Sequence, residues 1–199
     1  MAFTYFFRDL QCLSQAVEHL VPLVAGRLTV RVWDAGCAMG PEVYTLAILL
    51  AERMGRFSFR NLRIQATDID EGGNFGQRIA EGVYSWADVE RVPAELLSRY
   101  FRPLEGGRFR VCDELRGRVS FQRHDLTSLR PVGSEFCLVV CKNVLLHFDA
   151  PMRARVVAMF HASLQAGGLI VMEHTQKLPA EAARRFERVA PDAELYRRL

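Results

Sequence analysis

Hydrophobic runs of strand length alternate with segments of helical periodicity along most of the 199-residue chain. Four runs are predicted to be strands: Leu28–Trp33, Leu62–Thr67, Phe136–Cys141 and Leu169–Met172. The run Phe136–Cys141 is apolar at every position, which is typical of a strand buried on both faces of a parallel sheet.

The segments between these strands predict helices. Pro41–Met54 has apolar residues at helical spacing, and a proline suits the first helical turn. Further helices are predicted around Gly76–Glu81, over Pro93–Tyr100 and over Pro151–Gln165, the last ending at a C-cap formed by Gly167 and Gly168. Alternating strands and helices indicate a doubly wound α/β sheet, whose ligand crevice lies at the carboxyl ends of the strands.

Two short alternating runs interrupt this rhythm in the middle of the chain. They are Arg108–Cys112 and Arg118–Phe121, separated by Glu114–Gly117. We expect them to form a small antiparallel β insertion, over residues 108–121, within a single domain of residues 1–199.

Four polar residues directly follow predicted strands and are therefore expected to meet at one crevice. They are Asp34, Asp68, Asn143 and Glu173. Asp68 suits the hydroxyls of a ribose, although an acid at this position can also cap the following helix.

The loop from Asp34 to Gly40 joins the first strand to the first helix. Gly36 and Gly40 allow the backbone to approach a ligand, and the helix N-terminus offers free N–H groups. The loop does not match the GxGxxG pattern, which disfavours NAD. The alternative is a tight turn without a ligand.

His147 and the aromatic residues before Arg8 each have a structural and a functional interpretation. His147 near an apolar run is either a structural residue or a polar group of the site. The aromatic residues Tyr5, Phe6 and Phe7 either anchor a terminal helix or carry Arg8 into the crevice, where it could neutralise a carboxylate.

Composition limits the classes of partner. The net charge is +3 without a dense basic patch, so nucleic acid is not an expected partner. The five cysteines form no CxxC pair or zinc spacing, which indicates reduced thiols and no metal. No apolar run reaches the ~18 residues of a membrane span, so we expect a soluble, cytoplasmic protein without membrane insertion.

Several motifs together resemble the CheR-type methyltransferases. These enzymes transfer the methyl group of S-adenosylmethionine (SAM) to glutamate side chains of chemotaxis receptors. The products are a glutamyl methyl ester and S-adenosylhomocysteine (SAH). The matching segments are Thr4–Asp9, Arg31–Tyr44, Ala66–Asp70 and Cys141–Asp149. The resemblance implies a Rossmann-like class I methyltransferase sheet with helices on both faces and a small antiparallel β insertion.

The family's functional residues transfer to matching positions of this chain. The resemblance implies that the cofactor is bound by Thr4, Arg8, Gly36, Glu42, Asp68, Asp125, Leu126, Asn143 and Val144. Glu42 would face the methionine part, Asp68 the ribose, and Asp125 and Leu126 the adenine. Arg8 would orient the acceptor or the cofactor carboxylate, with hydrogen bonds from Tyr44 or His147. The β insertion matches a subdomain that docks on the receptor tail in some members.

The chain also departs from the family pattern. Pro41 replaces an acid of the loop, Lys142 an arginine and His147 a tyrosine, while 173–176 differs from the usual Gly-His-Ser-Glu. The motif at Thr4–Asp9 begins near residue 1, so we expect the family's basic helical domain to be absent. Three hypotheses follow: a methyltransferase acting on a protein glutamate of a chemoreceptor or other signalling protein, one acting on another protein or a small molecule, and a non-catalytic SAM- or SAH-binding signalling module.

Overall fold

The computed structural model describes residues 4–173 and 177–199. The strands of this part are β1 (Val30–Ala35), β2 (Leu62–Asp68), β3 (Val83–Ser85), β4 (Phe101–Leu104), β5 (Arg108–Val111), β6 (Val119–Arg123), β7 (Phe136–Cys141), β8 (Leu164–Met172), β9 (Phe186–Arg188) and β10 (Leu195–Arg198). The α-helices are α1 (Leu10–Val24), α2 (Pro41–Arg53), α3 (Arg56–Arg60), α4 (Phe75–Glu81), α5 (Trp86–Val89), α6 (Ala94–Tyr100), α7 (Asp113–Arg116) and α8 (Ala150–Ser163).

Seven strands form the main sheet, in the order β6-β2-β1-β7-β8-β10-β9. The first five are parallel, and β10 is antiparallel to β8. The chain leaves β1 toward β2 on one side and returns to β7 on the other side. This reversal opens a crevice at the carboxyl ends of these three strands.

Successive strand residues face opposite sides of the sheet, and each side has its own core. Val30 and Val32 belong to the cluster that includes α1 and α2, whereas Trp33 and Ala35 belong to the cluster that includes α8. Helices therefore cover both faces, and the predicted α/β fold is confirmed. No helix of the described residues has the length and apolar character to cross a bilayer.

A second, three-stranded antiparallel sheet has the order β3-β5-β4, and we call it the small sheet. The predicted run Arg108–Cys112 supplies its central strand. The run Arg118–Phe121 does not join it, because α7 returns the chain to the main sheet, where β6 pairs in parallel with β2. The small sheet is thus completed by β3 and β4, which the alternation pattern did not reveal.

Gly167 and Gly168 do not cap a helix. Helix α8 ends at Ser163, and both glycines lie inside β8. Phe136 of β7 pairs with Leu164, but Leu138 pairs with Leu169, so β8 carries extra residues between these positions. Glycines relieve crowding at such an irregularity, since a Cβ at Gly168 would lie 2.9 Å from the Phe136 carbonyl oxygen.

Candidate functional site

A cavity of about 670 Å³ opens at the carboxyl ends of β1, β2 and β7. This volume lies within the range of ordinary small-molecule sites. Its walls come from segments far apart in the chain: Thr4, Arg8, Gly36, Cys37, Ala38, Glu42, Thr67, Asp68, Ile69, Glu71, His124, Asp125, Leu126, Thr127, Lys142, Asn143, Val144, Leu146, His147 and Phe148.

The loop 36–40 forms one wall and is tied to β2. The Gly36 and Cys37 amides both donate to the Thr67 carbonyl, at 2.8 and 3.1 Å. Gly36 has a φ of 93°, and a Cβ there would overlap the Cγ2 atom of Val144. Only glycine fits this position, because it combines a left-handed backbone with close packing against the opposite wall.

Asp68 lies at the end of β2 with a fixed carboxylate. Its Oδ2 accepts from the Ala38 amide at 2.9 Å, and its Oδ1 accepts from the Asp70 amide at 3.2 Å. Asp68 does not cap α4, because Asp70 does this by accepting from the amides of Asn74 and Phe75. The Asp68 carboxylate therefore remains at the cavity wall, where it can accept further hydrogen bonds from hydroxyl groups.

Buried charges surround the start of α2. The Lys142 ammonium has no exposed side-chain surface and lies 3.0 Å from Glu42 Oε2 and 3.6 Å from Asp9 Oδ2. Burial would lower the pKa of Lys142, but the two carboxylates outweigh it and raise the pKa above 10.5. The ion pair thus fixes Glu42 at the cavity wall.

Asp34 lies beneath this cluster rather than in the cavity wall. Its side chain is fully buried, and neither carboxyl oxygen receives a hydrogen bond from the described residues. Burial, followed by the negative charge of Glu42, raises the pKa of Asp34 well above its usual range. Asp34 therefore favours the neutral carboxylic acid.

The N-terminal segment contributes Thr4 and Arg8 to the cavity wall. Phe6 is fully buried, and the Phe7 amide donates to Thr45 Oγ1 at 3.0 Å. This anchoring brings Arg8 to the cavity, where its Nη2 lies 3.4 Å from Asn143 Oδ1. Asn143 has a φ of 58°, a left-handed conformation that asparagine tolerates better than most residues.

The far end of the cavity is formed after β6. Asp125 Oδ1 accepts from the amide and the hydroxyl of Thr127, both at 2.8 Å, and these bonds lower the pKa of Asp125. Leu126 is buried beside it. Burial also lowers the pKa of His124, which favours its neutral form.

The structure brings most of the sequence-predicted residues together. Asp68 and Asn143 meet at the cavity as the strand-end rule predicts, while Asp34 lies below it and Glu173 is not part of its wall. His147 lies exposed at the rim. Residues 174–176, which belong to one of the departures from the family pattern, lie outside the described residues.

Tyr44 is not brought to the cavity. Its ring is buried in the core, and its hydroxyl donates to the Ile79 carbonyl at 2.6 Å. A hydrogen bond from Tyr44 to a ligand in the cavity therefore has no geometric basis. Sequence reasoning missed Cys37 and His124 in the cavity wall, although both are adjacent to residues it named.

The fold is that of the class I methyltransferases. The rRNA methyltransferase aviRa from Streptomyces viridochromogenes superposes with a TM-score of 0.58 at 15% identity, covering 98% of this chain and 85% of that chain. The order of the main sheet, numbered within that sheet, is 3-2-1-4-5-7-6 with the seventh strand antiparallel.

Sequence comparison identifies the family. The family described as "CheR methyltransferase, SAM binding domain" matches residues 2–194. Chemotaxis protein methyltransferase 2 of Vibrio cholerae is 29% identical, covering 88% of this chain and 62% of that protein. Chemotaxis protein methyltransferase 2 of Pseudomonas aeruginosa is 34% identical, covering 87% and 62%. The chain belongs to the CheR methyltransferase family, and the match confirms SAM as its cofactor.

The chain spans about 62% of the length of each of these two relatives. The match covers the SAM-binding domain and does not identify a methyl acceptor.

Proposed function

We propose that the cavity binds SAM and that the chain transfers its methyl group to a glutamate carboxylate of a protein. The observation that carries this proposal is the convergence of Arg8, Glu42, Asp68 and Asn143 on one cavity at the switch point of the sheet. These residues come from four separate segments, and the family resemblance names all of them as cofactor ligands.

The donor and acceptor groups of the wall fit SAM. The fixed carboxylate of Asp68 suits the two ribose hydroxyls, and Glu42, held by Lys142 through one oxygen, suits the ammonium group of the methionine part. Asp125 and Leu126 then border the adenine. Val144 packs against Gly36 and narrows the middle of the cavity, where we place the sulfur.

The proposed reaction needs no general base. When bound, SAM supplies a methyl group on a positively charged sulfur. A glutamate side chain is already ionised at neutral pH, so one of its oxygens is a nucleophile without proton transfer. The work of the protein is to align this oxygen with the methyl carbon and to exclude water.

Arg8, which the resemblance places against the cofactor, is also the residue we assign to the carboxylate of the acceptor. Its guanidinium lines the cavity beside Asn143 and 3.5 Å from the Asp9 carboxylate, and its positive charge attracts an acceptor carboxylate. His147, exposed on the same rim, is in a position to donate a further hydrogen bond to the acceptor. The small sheet, whose opposed residues Arg102 and Arg110 are both exposed, is the surface we propose for docking the acceptor protein.

Binding of the cofactor is tested by calorimetry with SAM and SAH. We expect both to bind the wild type, and Asp68→Ala to weaken binding about 100-fold or more, because it removes two charge-assisted hydrogen bonds. Asp113→Ala is the control, since this exposed acid lies outside the cavity. If the wild type binds neither SAM nor SAH, the proposal is wrong.

The acceptor is tested with SAM labelled in its methyl group and a lysate of the source bacterium that contains receptor membranes. Label that appears on a receptor-sized protein and is released by mild base indicates a glutamyl ester. Base-stable label, or label on small molecules alone, contradicts a glutamate acceptor. Binding of SAM without any transfer contradicts catalysis and favours a binding module.

A further inference from the structure

The loop 36–40 is held at two ends by two different sheets. Its start is tied to the main sheet, where the Gly36 amide donates to Thr67. Its end is tied to the small sheet, because the hydroxyl of Tyr84 in β3 donates to the Met39 carbonyl at 3.0 Å. A Cβ at Gly40 would lie only 2.5 Å from that hydroxyl oxygen, so the contact is tight.

Arg78 of α4 reinforces the same contact. Its Nη1 lies 3.6 Å from the Met39 sulfur, and its guanidinium carbon lies 5.3 Å from the centre of the Tyr84 ring. The Nη2 of Arg78 binds Asp88 at 2.9 Å. Met39 is thereby held at its carbonyl and at its side chain by neighbouring residues of the small sheet and α4.

Tyr84 also contacts the N-terminal segment, which supplies Thr4 and Arg8 to the cavity wall. The rings of Tyr84 and Phe6 pack edge to face, with centroids 4.9 Å apart and an interplanar angle of 90°. Phe6 packs in the same way on Phe101 of β4, at 5.3 Å. It lies two residues before Arg8, so the placement of Arg8 depends on this aromatic cluster.

We infer that Tyr84 is a positioning residue for the cofactor, although it is not part of the cavity wall. Its hydroxyl fixes the end of loop 36–40, whose Gly36, Cys37 and Ala38 form that wall. The inference rests on the proposed function, since it takes the cavity to be the SAM site. A loop that is already ordered adds no ordering cost to binding, whereas a loosened loop must be ordered by the ligand.

The test is the affinity of Tyr84→Phe for SAH, because this variant removes the hydroxyl and keeps the ring. We expect a Kd about fivefold weaker or more, the equivalent of one hydrogen bond. Tyr100→Phe is the matched control. Tyr100 is also buried, but its hydroxyl donates to Glu52 at 2.5 Å, away from the loop. We therefore expect the Kd of Tyr100→Phe for SAH to match that of the wild type.

Hydrogen exchange supplies a second readout on the free proteins. In Tyr84→Phe we expect faster exchange at the Gly40 amide, which donates to Cys37 within the loop, and unchanged exchange in β2. A variant that was merely less stable would exchange faster in both places.

The outcomes separate this inference from the proposed function. If the wild type does not bind SAH, the proposed function fails. If the wild type binds and Asp68→Ala does not, the cavity is the site. In that case, a Tyr84→Phe variant with the wild-type Kd, or a Tyr100→Phe variant weakened to the same extent, overturns the role of Tyr84.

Discussion

The buried ion pair of Lys142 and Glu42 makes the sharpest prediction about stability. The Lys142→Met variant keeps the length of the side chain and removes its charge. Glu42, with a side chain only 11% exposed, then loses the cation 3.0 Å away. Asp9 loses a partner too, but it is 36% exposed and water can replace the lysine there.

The magnitude follows from the geometry. At an effective dielectric constant of about 20, two unit charges separated by 3.0 Å attract by about 5.5 kcal/mol. Part of this attraction offsets the cost of burying Lys142. We therefore expect Lys142→Met to lower the free energy of unfolding by about 3–5 kcal/mol at pH 7.

The contribution of Lys142 to the free energy of unfolding depends on pH with a definite sign. Because the pKa of Lys142 is raised in the folded state, its contribution is fully present below pH 10.5 and is lost only as the pH rises through the folded value. It is therefore constant between pH 5 and 8.

The assay is a double-mutant cycle in urea with Lys142→Met, Glu42→Gln and the double variant. We expect a coupling energy of at least about 2 kcal/mol. The control cycle uses Arg116 and Asp113, which are 2.6 Å apart, although the Asp113 side chain is 92% exposed. It should give less than about 1 kcal/mol. Equal coupling energies in the two cycles would refute the argument from burial.

Two further predictions concern the loop and the acid beneath it. Gly36→Ala should weaken SAH binding more than about tenfold and destabilise the fold by about 2 kcal/mol or more, since its φ is 93° and its Cβ would overlap Val144. Gly106→Ala is the control: with a φ of 72° and open space around it, the cost should be about 1 kcal/mol of stability with no change in Kd. For Asp34, the raised pKa means that the folded state holds a proton that the unfolded state has lost above pH 3.8, so the stability of the wild type falls as the pH rises. Asp34→Asn has no such proton, so its stability relative to the wild type should improve by up to about 1.4 kcal/mol per pH unit as the pH rises above 3.8 toward the raised pKa of Asp34; a difference that does not vary with pH would contradict a neutral Asp34.

The parts of the fold that sequence predicted well are those fixed by local pattern. The strand Phe136–Cys141 has the predicted bounds, because an unbroken apolar run can be satisfied only inside the sheet. Asp68 and Asn143 reach the cavity because the carboxyl ends of parallel strands share one edge. Neither inference needed a knowledge of distant contacts.

The features that the sequence did not predict depend on partners that are remote in sequence. Alternation in Arg118–Phe121 predicts a strand, but its partner is β2 in the main sheet and not the neighbouring run. The hydroxyl of Tyr44 is directed by the Ile79 carbonyl, 35 residues away. From the sequence, Lys142 stood out only as a departure from the family's arginine, whereas its full burial makes it the centre of a charge cluster.

Local sequence pattern and contacts remote in sequence also contribute differently to the site. The main sheet alone supplies Asp68 and Asn143, but Arg8 and the end of loop 36–40 are held by the small sheet and the aromatic cluster of Phe6 and Tyr84. These contacts lie outside the cavity and do not reach the reacting atoms. Loss of the Tyr84 hydroxyl, which bonds only to the end of loop 36–40, should therefore alter the affinity for the cofactor before it alters the rate of methyl transfer from a saturated site. A substitution at Arg8 should affect the rate at saturation, because Arg8 is the residue we propose for aligning the acceptor.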